Sequence, residues 1–418
     1  MMNGWKLTTL AELSENKDAI VSGPFGSNLK VSDYKETGIP ILRLQNIGKG
    51  CFIDKDIKYI SKEKAVELKY HSFMAGDIAL AKLGIPVGKT CIIPNKFKEG
   101  IIVADVVRIR PDKNNIDYKF LEYFLNTDLS VSQLTGNISG ATRPRVNLSD
   151  VRDIKFYLPP LSEQKRIVQI LDEVFAAIDK AEANVEMNLQ NAKELFESYL
   201  QNVFANKGKG WEEMRIQEVT KVVNGYAFAS SDFKSTNTVK SVKITNVGVK
   251  EFVEEADNYL PEKFQYTLKD FQVKKGNIVV ALTRTIISAG LKVAVVPESY
   301  NGALLNQRVA ALIPNEKLVN QRFLYNYLTT DGVAKYVLAH VNTLMQPNLS
   351  INDLKNLIVP CPPIKEQQTI VSRLDNLRLE TQKLEAMYQQ KLNDLEELKK
   401  SILQKAFSGE LRQKEITI

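Results

Sequence analysis

Two stretches of this chain are close to the same stretch written twice, 203 residues apart. LPPLSEQKRIVQILDEV from Leu158 aligns with CPPIKEQQTIVSRLDNL from Cys361, and Pro159, Pro160, Glu163, Gln164, Ile167, Val168, Leu171 and Asp172 recur as Pro362, Pro363, Glu366, Gln367, Ile370, Val371, Leu374 and Asp375. The offset holds downstream, where SYLQNVF from Ser198 meets SILQKAF from Ser401, and upstream, where FLEYFLNT from Phe120 meets FLYNYLTT from Phe323. Nearer the start of each half the match weakens and drifts: GDIALA from Gly76 pairs with GNIVVA from Gly276, ILRLQNI from Ile41 with SVKITNV from Ser241, and Gly4 and Trp5 with Gly210 and Trp211. Self-similarity at this spacing means two modules of one architecture. Their frameworks agree while their surfaces differ.

The double prolines end an extended segment and start a helix, since proline fixes φ and lacks an N–H that the first helical turn would leave unpaired anyway. After the first pair, apolar residues recur at helical spacing from Ile167 through Leu171, Val174, Ile178, Ala181, Val185, Leu189, Ala192, Leu195 and Tyr199 to Val203. The second pair opens a stripe of Ile370, Leu374, Leu377, Leu384, Tyr388, Leu392, Leu395, Leu398 and Ile402. A helix of about 44 residues spans roughly 66 Å and needs a partner along its length. The two helices are expected to supply each other's partner as an antiparallel coiled coil, the other possibility being that their stripes bind helices of another protein. Ahead of each helix, strand-like runs (IPILRLQNI, GDIALAKL, ADVVRIRP; KSVKITNV, GNIVVALT, NQRVAALIP) alternate with short helical patterns. The expected fold is mixed α/β (α+β): two tandem globular domains at 1–158 and 207–360, joined by long helices at 159–206 and 361–418 and related by a pseudo-twofold internal repeat.

Of the 418 residues 44% are hydrophobic and 25% charged, which excludes disorder for most of the chain. No apolar run is long enough to span a membrane, and the N-terminal residues lack the pattern of a signal peptide, so a cytoplasmic location is expected. Cys51, Cys91 and Cys361 lie far apart and His71 and His340 are the only histidines, which leaves no local disulfide framework and no zinc site. The charge is more informative by segment. Residues 1–158 hold 23 basic against 18 acidic groups and residues 210–360 hold 17 against 14, whereas 159–209 are net −2 and 361–418 net +1. The basic surplus therefore lies in the globular modules, as two phosphate-facing surfaces joined by a near-neutral strut require.

Several of these cations stand among small polar neighbours in loops: Lys82 and Lys89 in AKLGIPVGKT, Arg143 and Arg145 in SGATRPRVN, Arg284 in LTRTIISAG and Arg308 in LLNQRVA. Arginine reads guanine through two parallel hydrogen bonds and asparagine or glutamine reads adenine, so such loops suit base edges. Catalytic patterns are missing. There is no Asn/Asp-Pro-Pro-aromatic loop for base amine methylation, no glycine-rich cofactor turn and no GxxxxGK(S/T) phosphate loop. Asp54 with Glu67 and Lys69 meets a permissive Mg²⁺-nuclease spacing, but Glu67 and Lys69 sit in a Lys/Glu-rich helical stretch and the second half has no counterpart.

With two PPxxEQxxI helix starts, two long helices and two dissimilar modules opening on Gly-Trp, the chain resembles the specificity subunit of type I restriction-modification systems. SGATRPRVNLSDV, NTLMQPNLSINDL and the terminal SILQKAFSGEL add to the likeness, which covers essentially the whole chain. The resemblance implies that the modules are target-recognition domains, each reading one half of a bipartite double-stranded DNA sequence, and that the helices set the spacing. It implies a non-catalytic chain holding two modification (methyltransferase) subunits and recruiting restriction subunits, with S-adenosylmethionine, ATP and Mg²⁺ used by those partners and no cofactor or metal here. Pro159, Pro160, Gln164, Ile167 and Leu171, with Pro362, Pro363, Gln367, Ile370 and Leu374, correspond to the family's helix starts and frame the domain-to-helix junction. Thr142 and Thr343 fall at a family threonine near the DNA, a structural turn bond being the other role open to them. The second half departs there, with Leu344, Met345 and Gln346 where the first has Arg143, Pro144 and Arg145, so a shared DNA contact by Gln346 and its counterpart is in doubt. Because the loops differ, an asymmetric target is expected. The alternative is a coiled-coil assembly adaptor whose modules bind proteins, against which the basic surplus of both modules argues.

Overall fold

The computed structural model describes residues 4–136, 144–254, 259–287, 290–341 and 347–411, so Thr142, Arg143, Thr343 and Gln346 lie outside the described residues. The chain forms two compact units, Met1–Glu186 with Gln390–Ile418, and Met187–Gln389.

The strands of the first unit are β1 (Lys6–Thr9), β2 (Ile20–Ser22), β3 (Ile39–Leu42), β4 (Lys58–Ile60), β5 (Ser72–Met74), β6 (Ile78–Ala81), β7 (Thr90–Ile92), β8 (Glu99–Ile102), β9 (Val106–Ile109) and β10 (Lys155–Leu158). They make a sheet of order β2-β9-β6-β7, a second of order β4-β3-β8-β5, and the pair β1-β10. Strands β6 and β9 are buried at every position, which is why their sequences run apolar without alternation. Ile78, Leu80, Val107 and Ile109 face a core shared with helix α1 (Tyr118–Leu125), whereas Ala79, Ala81 and Val106 face Leu42 and Ile102 of the second sheet. Helix α2 (Leu161–Ala205) follows β10.

The second unit repeats this plan with β11 (Glu212–Arg215), β12 (Thr220–Asn224), β13 (Ser241–Val242), β14 (Ile278–Ala281), β15 (Ile286–Ile287), β16 (Gly290–Leu291), β17 (Val293–Val295), β18 (Leu304–Leu305), β19 (Val309–Pro314) and β20 (Ile358–Cys361). Its main sheet, β12-β19-β14-β17, has the order of the first unit's. The second sheet is thinned to the parallel pair β13-β18, with the single bridges Val239 to Leu260 and Gln272 to Leu304 where the first unit has full strands. Helices α3 (Gln321–Leu328) and α4 (Ile364–Phe407) complete the chain.

Within each unit the long helices run antiparallel. In the first, Ile167, Leu171, Val174 and Ile178 of α2 share a core with Ile402, Ala406 and Phe407 of α4. There Arg166 donates to the carbonyl of Leu411 at 3.3 Å, and Lys399 reaches Asp179 at 2.8 Å and Glu182 at 2.7 Å. In the second, Leu200 and Phe204 of α2 pack with Val371 and Leu374 of α4, and the Arg378 guanidinium lies 4.5 Å from the Phe196 ring. The expected stripes need two corrections: Leu195 and Leu398 are exposed, and the buried residues toward those helix ends are Leu200 and Phe204 on α2 and Ile402, Ala406 and Phe407 on α4. Each helix end meets both its partner helix and a globular module, so the buried face turns away from a strict coiled-coil seam.

The runs IPILRLQNI and KSVKITNV, expected to be extended throughout, are strand only over β3 and β13. Asn46 stops the first: its carboxamide oxygen accepts the Arg43 N–H at 3.1 Å and its amide donates to the carbonyls of Ile53 and Lys55 at 3.1 and 3.0 Å. Asn246 accepts from Lys243 at 2.8 Å and donates to Val253 at 2.9 Å in the same way. A short amide side chain bonded to nearby backbone competes with the strand ladder and wins.

Candidate nucleic-acid interface

Four segments of the first unit converge at one end of its main sheet. They are the end of β2 at Ser22 and Gly23, the loop after β6 from Lys82, the turn before β9 ending at Asp105, and the segment through Arg145. Backbone bonds hold them: Gly23 N–H to Val106 at 3.0 Å, Lys82 N–H to Asp105 at 2.8 Å, Val146 N–H to Lys82 at 3.0 Å and Ala81 N–H to Lys89 at 2.9 Å. Gly23 is obligatory, because a Cβ there would overlap the carbonyl of Val103.

The second unit builds the same corner from equivalent backbone. Gly225 N–H bonds Val309 at 3.2 Å, Leu282 N–H bonds Arg308 at 2.8 Å, Leu349 N–H bonds Leu282 at 2.9 Å and Ala281 N–H bonds Lys292 at 3.1 Å. The bridge between Leu83 and Arg145 has its counterpart between Thr283 and Asn348, so the residue equivalent to Arg145 is Asn348 and not Gln346 as the sequence alignment pairs them. A Cβ on Gly225 would overlap the carbonyl of Asn306. One backbone scaffold therefore carries two sets of side chains: Ser22, Lys82, Asp105, Arg145 and Lys89 in the first, and Asn224, Leu282, Arg308, Asn348 and Lys292 in the second.

The chemistry differs accordingly. Lys82, expected in an exposed loop, is only 3% exposed; its ammonium donates to Ser22 Oγ at 2.5 Å, and that hydroxyl donates to the carbonyl of Ala104 at 3.0 Å. Burial holds the Lys82 ammonium below its ordinary pKa, the charge of Arg145 adds to this, and Asp105 offsets part of it. Arg145 pairs with Asp105 at 2.5 Å, its own side chain half exposed. Lys89, whose carbonyl accepts the Ala81 N–H, is half-buried. In the second unit Arg284 and Arg308 are exposed, and Lys292 donates to the carbonyl of Ile244 at 2.9 Å. Burial lowers the Lys292 pKa and Arg284 lowers it further.

The structure thus brings Lys82 and Arg145 together in one unit, with Lys89 joined to the corner by its backbone, and places Arg284 and Arg308 on the equivalent segments of the other. Sequence reasoning missed Ser22, Asp105, Asn224, Lys292 and Asn348. The only signal for them was positional, once GDIALAK is laid on GNIVVAL and the loops that follow are matched.

The junction residues act on backbone. Gln164 is fully buried; its carboxamide oxygen accepts the Asp117 N–H at 2.7 Å, and its amide donates to the carbonyls of Pro159 at 2.9 Å and Asn115 at 3.2 Å. Asp117 in turn caps α1, accepting from Lys119 and Phe120 at 2.9 and 3.0 Å. Gln367 repeats every contact, with Asn320 N–H at 2.8 Å, Pro362 at 2.8 Å and Leu318 at 3.0 Å, and Asn320 caps α3. Ile167, Leu171 and Leu374 are buried beside these clamps and Ile370 is half-buried. The nuclease candidates are occupied elsewhere: Asp54 pairs with Lys96, and Glu67 with Lys64 at 2.8 Å. Among the described residues no helix is long and apolar enough to cross a membrane.

The family model of the type I restriction modification DNA specificity domain matches residues 2–187 and 208–397. The type I restriction enzyme MjaVIII specificity subunit of Methanocaldococcus jannaschii is 28% identical over 76% of this chain and 76% of its own length. The EcoKI specificity subunit of Escherichia coli is 24% identical over 98% of this chain and 89% of its own. Among solved structures, a chain from a type I R-M system studied for complex assembly and conformational transition superposes with a TM-score of 0.72 at 19% identity, covering 98% of each chain. The HsdS subunit from Thermoanaerobacter tengcongensis superposes with a TM-score of 0.63 at 19% identity, over 98% of this chain and 97% of that one.

Proposed function

Since this chain belongs to the type I restriction modification DNA specificity family, we propose that its two corners are the surfaces through which it reads a bipartite target. The chain is a non-catalytic DNA-sequence-specificity subunit; catalysis resides in its partner subunits. Residues 1–158 and 207–360 are the recognition domains, and 159–206 and 361–418 the spacer helices between half-sites. The observation that carries this reading is the corner itself, where one hydrogen-bonded backbone presents different polar side chains in the two modules.

Lys89 and Arg145 in the first module, with Lys82 buried behind Arg145, and Arg284 and Arg308 in the second, face the DNA, and Thr142, Arg143, Thr343 and Gln346, outside the described residues, are retained as DNA-contact candidates from the sequence. Contacts to phosphates set the register of the duplex and contacts to base edges select sequence. Two modification subunits close on the DNA and extrude the target adenine for methyl transfer from S-adenosylmethionine. Restriction subunits supply ATP- and Mg²⁺-dependent translocation and cleavage, all in the cytoplasm.

Co-expression with the modification subunit and genome-wide mapping of methylated adenine tests this. Wild type is expected to mark one asymmetric bipartite motif. Exchange of residues 212–357 for the same segment of a relative is expected to replace one half of that motif and leave the other intact. Absent methylation, or a motif unchanged by the exchange, would move recognition out of the modules and favour a protein-binding adaptor.

A further inference from the structure

The first module's corner holds a buried cation with too few acceptors. An ammonium carries three donors, and among the described residues Lys82 has one hydrogen-bond acceptor, Ser22 Oγ, with the Phe25 ring centroid 5.5 Å away and no carboxylate at ion-pair distance. The nearby carboxylate, Asp105, is engaged by Arg145 at 2.5 Å. Two cations and one anion thus share the corner, and a desolvated charge without its full set of partners is costly. An acceptor-rich ligand arriving from outside corrects the imbalance.

The geometry favours a base edge over a phosphate alone. A surface arginine bound only for its charge needs no carboxylate to orient it. One nitrogen of Arg145 lies 2.5 Å from an oxygen of Asp105, a carboxylate itself three-quarters buried whose Oδ1 has no hydrogen-bond donor among the described residues, on a turn bonded to Lys82 by backbone. The ion pair engages one guanidinium nitrogen, and the donors it leaves over can match guanine O6 and N7. The second module carries the reverse arrangement: Arg308 stands at the position of Asp105 and Asn348 at that of Arg145.

We infer that Asp105 is a positioning residue for specificity, aiming Arg145 at a G·C pair in the half-site of the first module with Lys82 as the second cation behind it. This rests on the DNA-specificity reading above. The test uses the chain in complex with its modification subunit, with methylated adenines mapped for wild type, Asp105→Asn and Arg145→Gln, and the module exchange assigning each half of the motif. Expected is a G·C pair in the first module's half at which both variants lose discrimination by about 10-fold or more, the other half remaining strict. No G·C pair in that half, an unchanged motif in both variants, or relaxation in the other half overturns the inference while leaving the wider function standing. Where both variants abolish methylation, thermal unfolding decides: an unchanged midpoint supports base reading, and a lowered one assigns the ion pair to folding and overturns it. A wild type that marks no bipartite motif sinks the DNA-specificity reading itself.

Discussion

Replacing Gln164 by leucine is expected to destabilise the first unit by about 4 kcal/mol, and Gln367→Leu to do the same to the second. The substitution keeps a side chain of similar bulk but removes both the acceptor and the donor that the carboxamide supplies. Three backbone groups then lose their partner, the Asp117 N–H and the carbonyls of Pro159 and Asn115. Each buried group left unpaired costs about 1–3 kcal/mol. Asp117 is also the N-cap of α1, so loss of the clamp frees the helix that covers the main sheet from the start of α2. Hydrogen exchange on the purified complex separates the outcomes. Gln164→Leu should release protection over residues 115–125 while residues 318–328 keep theirs, and Gln367→Leu should do the opposite. A loss below about 1 kcal/mol in both variants would mean that water or a shifted backbone replaces the clamp.

That clamp also explains which parts of the molecule were legible in the sequence. Gln164 and the two prolines before it act on backbone groups common to both units, so the same residues are required twice and appear as the repeat. Strands β6 and β9 were legible because burial on both faces leaves an unbroken apolar run. The recognition corner was half legible. Lys82, Arg145 and Arg308 could be singled out as cations in polar loops, but Ser22, Lys82, Asp105 and Arg145 come from four segments far apart in the chain. Nothing local to any of them announces the others. Lys82 showed the limit most clearly, because its buried ammonium is held by Ser22, which bonds Ala104, both on segments distant from it in the chain. The helical stripes failed at Leu195 and Leu398 for a related reason: periodicity describes one buried face, and these helix ends have two neighbours. Divergence at the corner set against constancy at the clamp fits the proposed division of tasks, in which the clamp meets the protein's own backbone and the corner is the surface proposed to read a different half-site in each module.

The first unit is also expected to lose stability as pH rises from about 4 to about 7, and Glu122→Gln to abolish the loss. Glu122 lies on α1, buried, with its carboxyl accepting the Ile92 N–H at 2.7 Å. Burial pushes its pKa up to about 7 against the lowering effect of that hydrogen bond and of Lys119, while Asp172 raises it further. An unfolded glutamate titrates near 4.3, so the folded state holds this proton more tightly than the unfolded chain does. The stabilisation is therefore complete below about pH 4, declines as pH climbs toward 7, and is gone above it, a change of about 4 kcal/mol if the site acts alone. Glutamine keeps the acceptor for Ile92 and cannot ionise, so above pH 7 the variant should be the more stable protein by a similar amount. The second unit has Tyr325 at this position, its hydroxyl donating to the carbonyl of Lys250 at 2.7 Å, and contributes no such slope. Exchange protection of the Ile92 amide, followed from pH 5 to 8 in wild type and variant, reads the effect at its source. It should fall with pH only in wild type, after correction for the intrinsic exchange rate. Equal slopes in the two proteins would show that Glu122 is already ionised across this range, with a partner that compensates its burial.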